Sequence, residues 1–196
     1  MADVLTHVTA PTRYLEVNGI RYAYRRFGAG EGTPLLFLQH FRGGLDHWDP
    51  AVTDGLAANR EVILFNNAGV ASSSGETPET FAAMADHAAG FVGALGLEQV
   101  DVLGLSMGGA VAQELALRHP RLVRRLVIAG FRPRAGEAEG TAPDMISTVN
   151  SYVLAQHIPA AQLVIYPDSG HGSIFQYPEL FVSQATRFLD AEHPFG

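Results

Sequence analysis

Residues 100–110 read Val-Asp-Val-Leu-Gly-Leu-Ser-Met-Gly-Gly-Ala, an apolar run that passes through a single corner residue into a helix-forming stretch. A chain turns that sharply only if the corner residue, Ser106, is forced towards positive φ. Gly104 and Gly108 flank it at the points where a Cβ would clash. A strand apolar on both faces and followed at once by a helix belongs to a parallel sheet covered on both sides. The feature therefore restricts the chain to an α/β architecture.

The rest of the sequence supplies the matching parts. Asn18-Gly19 between Tyr14–Val17 and Ile20–Arg26 is a two-residue hairpin signal, which predicts an antiparallel edge. Leu35–Leu38, Val62–Phe65, 100–105, Leu122–Ile128 and Gln162–Tyr166 read as short strands. Helices are predicted over Asp46–Ala58, Glu79–Leu95, 107–118, Thr148–Gln156 and Pro178–Leu189, several with one apolar face. Residues 131–147 are polar, rich in Gly and Pro and without periodicity, and read as an irregular linker inside a single domain spanning 1–196.

Composition removes several classes of chemistry. There are no cysteines, so disulfides, thiol catalysis and cysteine-ligated metals are out. All 13 basic residues are arginine, which removes lysine Schiff-base mechanisms. The net charge of −7 argues against nucleic acid or an anionic membrane surface as a partner. No stretch has transmembrane length and the N-terminus lacks the marks of a signal peptide, so a cytoplasmic location is expected. The amphipathic helices are accounted for by covering the sheet, and nothing specifies an oligomeric state.

Gly-x-Ser-x-Gly between strand and helix is the pattern that lifts a serine hydroxyl above a sheet as a nucleophile. Serine needs a base with a pKa near neutrality, and His171 in Tyr166-Pro-Asp-Ser-Gly-His-Gly follows the last predicted strand. With these residues in place, the chain resembles the α/β-hydrolases of the small-molecule esterase, lactonase and cofactor-free haloperoxidase type. The resemblance covers residues 14–130 and 148–190.

That resemblance implies an α/β-hydrolase-type, mainly parallel sheet with helices on both faces, Ser106 as nucleophile and His171 as general base. It also implies an oxyanion loop over Gln39–Trp48, with the backbone N–H groups of Phe41 and Met107 as donors. No cofactor and no metal are implied. Gln39-His40 stands where the family usually has His-Gly, and Asn66 stands where it usually has aspartate; the stretch Asn66–Ser73 reads as structural support for the elbow. His40, Trp48 and Phe131, with Phe175 and Met107, are the candidates for lining a substrate pocket. For Trp48 and the phenylalanines the alternative is ordinary core.

The triad acid is the gap in the pattern. The family places a cap, a helix and a further strand ending in the acid after strand 122–128, and a complete crossover takes about 30 residues, more than 131–147 can hold. Asp144 is the best heir to the acid position. Asp168 reads as a turn residue, and Glu137 and Glu139 are open substitutes. The expectation is a hydrolase of small carboxylic esters or lactones, whose cap and penultimate strand are either absent or belong to a segment outside this sequence; the alternative is a catalytically silent binding or self-associating protein.

Overall fold

The computed structural model describes residues 5–40, 42–130, 148–158 and 161–192. Among these residues six strands form one sheet: β1 (Arg13–Val17), β2 (Ile20–Phe27), β3 (Leu35–Leu38), β4 (Val62–Phe65), β5 (Val100–Leu105) and β6 (Val123–Ala129). Their spatial order is β1-β2-β4-β3-β5-β6. β2 is antiparallel to both β1 and β4, whereas β4, β3, β5 and β6 run parallel. The hairpin turn has positive φ at both Asn18 (51°) and Gly19 (79°), the conformation whose twist matches that of paired strands.

The described residues also form six helices: α1 (Pro50–Ala57), α2 (Phe81–Ala94), α3 (Met107–Arg118), α4 (Thr148–His157), α5 (Ser173–Gln176) and α6 (Pro178–Asp190). The period of two along β3 divides the core. Leu35 and Phe37 face α1 and α6 with Trp48, Leu64, Leu103 and Phe181. Leu36 and Leu38 face the other way, with Ile63, Phe91, Val102 and Leu115 under α2 and α3. Both layers are almost fully excluded from solvent, as a parallel sheet requires.

Two expected elements differ. The helix expected over Asp46–Ala58 divides into a 3₁₀ turn (Leu45–His47) and α1, because Pro50 has no N–H to donate and can only begin a helix. Asp49 caps α1 by accepting a hydrogen bond from the Ala51 N–H at 2.8 Å. The strand expected over Gln162–Tyr166 does not form. Residues 161–166 join no ladder among the described residues, and Leu163, Val164 and Ile165 are exposed. Apolar alternation marks a segment as fit for a strand, but a strand exists only where an edge accepts it. Tyr166 is instead tied to α6, its hydroxyl donating to Gln184 Oε1 at 2.6 Å.

β6 is half-buried and bulged: Val100 pairs with Val123 but Val102 with Leu126, so Arg124 and Arg125 together oppose Asp101. Both arginines reach the end of α6, Arg124 donating to the Leu189 carbonyl at 2.8 Å and Arg125 to those of Leu189 and Ala191. Arg124 also makes a two-point bond with the buried Asp101 carboxylate, at 2.9 and 2.5 Å. Arg60, itself buried, joins Asp101 to Asp190. These bonds lie at the N-terminal ends of β5 and β6, opposite the Ser106 corner, and bind α6 to the sheet. Among the described residues no helix is long and apolar enough to cross a membrane.

Candidate active site

Ser106 sits at the corner between β5 and α3 with φ 56° and ψ −122°, the strained conformation its flanking glycines predict. A Cβ at Gly104 would collide with the Gly108 carbonyl, and one at Gly108 with that of Leu38. The Ser106 N–H donates to the Ala129 carbonyl at 2.9 Å, fixing the corner to the end of β6. Ser106 is the N-cap of α3, yet its side chain makes no capping bond. The hydroxyl is therefore not committed to the helix. The Met107 N–H lies in the first turn of this 12-residue helix, where N–H groups lack intrahelical acceptors and the helix dipole favours negative charge.

His171 reaches the same end of the sheet by a different route. The next residue after Ala129 is Gly130, at φ 57°, and a Cβ there would lie 2.7 Å from the His171 carbonyl oxygen and 3.1 Å from its Nδ1. Ser106 and His171 thus rest on consecutive residues. The loop carrying His171 is closed by side chains rather than by a strand. Tyr177 donates its hydroxyl to the Pro167 carbonyl at 2.8 Å, the Gly170 N–H donates to Gln176 Oε1 at 2.9 Å, and the Ser169 hydroxyl donates to the Tyr166 carbonyl at 2.9 Å. Tyr166 and Tyr177 stack at 5.5 Å between ring centroids. Burial raises the Tyr166 pKa, so its hydroxyl keeps the proton it gives to Gln184.

His171 Nδ1 is buried and has no hydrogen-bond partner among the described residues. A buried ring nitrogen without a partner is costly.

Residues 33–145 match the alpha/beta hydrolase fold family. A solved alpha/beta hydrolase fold protein from Chitinophaga pinensis superposes with a TM-score of 0.89 at 34% identity, over 95% of this chain and all of that one. This chain belongs to the alpha/beta hydrolase fold family. A protein of Azorhizobium caulinodans assigned as the carbamate hydrolase RutD is 37% identical over 83% of this chain and 58% of its own length. The poly(3-hydroxyalkanoate) depolymerase of Ectopseudomonas oleovorans is 31% identical over 88% of this chain and 60% of its own. The chain thus spans a little over half the length of these curated relatives.

In this alpha/beta hydrolase the remaining candidates fall in different places. Asp144, Phe41 and Phe131 lie outside the described residues, as do Glu137 and Glu139. Asp168 is an exposed turn residue at φ 50°, as its sequence context suggests. His40 stands just after β3, half-buried, its ring 6.1 Å from that of His47. Trp48, considered for the pocket, is 3% exposed, which places it in the core. Its indole packs edge-on against Phe37 at 4.9 Å and Phe175 at 6.3 Å. It supports α5, just after His171, from beneath.

Three residues were undervalued by sequence reasoning. Gly130 lies against His171, and a glycine directly after a strand of the Ser106 sheet was the available signal. Gln39 and Asn66 read as departures from a pattern, and the structure shows what they hold. Gln39 Oε1 accepts from the His40 N–H at 3.0 Å, and Nε2 donates to the Gly44 carbonyl at 2.8 Å. Asn66 Oδ1 accepts from the Leu45 N–H at 2.7 Å. Asn66 therefore braces the loop after β3, where support for the elbow was expected. Among the described residues no three His, Asp or Glu side chains gather as a metal site.

Proposed function

We propose that this chain is a serine hydrolase of small carboxylic esters or lactones, working through an acyl-enzyme on Ser106. The observation that carries this reading is the Ser106 corner: a strained serine with an uncommitted hydroxyl, tied to Ala129 beside the glycine on which His171 rests. Ser106 Oγ attacks the substrate carbonyl carbon while His171 Nε2 takes the hydroxyl proton. Negative charge moves to the carbonyl oxygen, where the N–H groups of Met107 and Phe41 receive it. The tetrahedral species collapses, the alcohol leaves with the proton from His171, and water activated by the same imidazole releases the acid. Asp144 is the proposed acid for the unpartnered Nδ1. The relatives are named for cleavage of a carbamate and of a polyester, both reactions at an acyl carbon carrying a heteroatom.

The test is reaction with an alkyl fluorophosphonate, which transfers its phosphonyl group to an activated serine and releases fluoride. One adduct located at Ser106 is expected, with none in Ser106→Ala and slowed labelling in His171→Ala and Asp144→Asn. Folded protein that never labels would overturn the reading. It would favour a catalytically silent, ligand-binding protein.

A further inference from the structure

Gly44 C=O and Leu45 N–H belong to one peptide group, and two buried side-chain amides grip its two ends. Gln39, 4% exposed, donates to the oxygen; Asn66, 1% exposed, accepts from the nitrogen. The orientation of each amide is fixed by its surroundings. The His40 N–H demands an acceptor of Gln39, which turns Nε2 towards Gly44, and the Leu45 N–H demands Oδ1 of Asn66. The Gly44 N–H adds a third bond, to His47 Nδ1 at 2.9 Å. Gly43 is packed on the Gln39 side chain, where a Cβ would come within 2.7 Å of Cγ and Cδ. Between these ties the chain makes a tight turn, with the Gly43 N–H bonded to the His40 carbonyl and Arg42 at φ 60°. The backbone of Leu38 and Gln39 in turn lies against Gly108, in the first turn of α3.

We infer that Gln39 and Asn66 are positioning residues that set the oxyanion loop against the first turn of α3. The inference rests on the serine-hydrolase reading above. The pair holds the loop beside the Ser106 corner by bonds to the loop's backbone, so its effect on the reaction passes through the loop. The two residues have different requirements. Gln39 faces one donor and one acceptor, and an ionised carboxylate in its place would set oxygen against the Gly44 carbonyl. Asn66 faces the Leu45 N–H and, through Nδ2, the exposed Ser72 hydroxyl at 3.2 Å.

The experiment measures the rate of fluorophosphonate labelling against probe concentration, giving a maximal rate and an apparent dissociation constant, with folding followed by near-UV circular dichroism. Gln39→Glu should lower the maximal rate at pH 8 by about tenfold or more with the dissociation constant unchanged, as expected when a stabilising donor is misplaced. Asn66→Ala should lower the maximal rate likewise, since it removes the acceptor of the buried Leu45 N–H. The Gln39→Glu deficit should shrink as pH falls, because the introduced carboxyl group, once protonated, can donate to the Gly44 carbonyl again; a purely structural defect has no reason to recover. If Gln39→Glu does not fold, Gln39→Met carries the test, with the same loss expected and no recovery at low pH. Parent-like maximal rates in the folded Gln39 variants, with the parent labelled at Ser106, overturn this inference and leave the hydrolase reading standing. A folded parent that does not label overturns the reading and the inference with it.

Discussion

Gly130 is in contact with His171: its missing Cβ leaves the space occupied by the histidine's carbonyl oxygen and Nδ1. The φ of 57° adds a second demand for glycine at that point. Gly130→Ala should therefore push the His171 segment away from the Ser106 corner while β6 stays paired. The expected result is a loss of labelling of about 100-fold, the scale on which misplacement of a catalytic group by an ångström is felt. Circular dichroism and the thermal midpoint show whether the sheet survives. Labelling at the parent rate would separate His171 from the chemistry.

Trp48 makes a prediction of the opposite kind. Because it is buried between Phe37 and Phe175, Trp48→Phe should lower stability without altering the preference for probe chain length. A core truncation of this type costs on the order of 1–3 kcal/mol, read by urea unfolding. A changed ranking of short- and long-chain phosphonates would return Trp48 to the pocket wall.

His7 supplies a pH dependence. Burial, followed by the Arg25 charge, lowers its pKa below the ordinary 6.5, and Nδ1 lies 2.9 Å from the buried Thr53 hydroxyl. The folded state then binds its proton less readily than the unfolded chain. Its stability contribution is intact above pH 6.5 and is lost as pH falls below that value towards the folded pKa. The thermal midpoint should decline over this interval, and His7→Gln should decline less steeply. Equal slopes for the two proteins would remove His7 as the source.

Asp101 anchors the opposite end of the sheet. It is fully buried, burial pushes its pKa up against the pull of Arg124 and Arg60, and it is bonded to both. Asp101→Asn leaves two arginines without their shared countercharge, one of them buried. A loss of about 3–5 kcal/mol in urea unfolding is expected, with the labelling rate of the still-folded fraction preserved. A cost under about 1 kcal/mol would mean that the cluster is dispensable.

How much of this was legible follows from the range of the forces involved. The hairpin at Asn18-Gly19 and the corner at Ser106 are local: a few residues with forced dihedral angles dictate the outcome, and both match. Strand Gln162–Tyr166 depends on an edge elsewhere in the chain, and its own apolar pattern could not say whether that edge would receive it. Trp48 stayed open for a related reason, since an aromatic in the loop after β3 is consistent with a pocket wall or with core until its neighbours are known, and its burial decides for core. Gln39 and Asn66 looked like two unrelated substitutions, 27 positions apart, because sequence does not show that they meet at one peptide group.

The arginine bonds between the sheet and α6 also have a consequence for synthesis. Arg60 and its partner Asp190 are 130 residues apart, and Arg124 and Arg125 likewise wait for the carbonyls of Leu189 and Ala191. On the ribosome, β1 to β6 can emerge and begin to pair, but their α1-side layer stays open until α6 arrives to cover it. The Ser106 corner leans on Leu38 and on the Ala129 carbonyl and can be assembled once β6 is made, whereas His171 follows only after α4. On the serine-hydrolase proposal, a nascent chain would thus carry its nucleophile for some time before gaining the base.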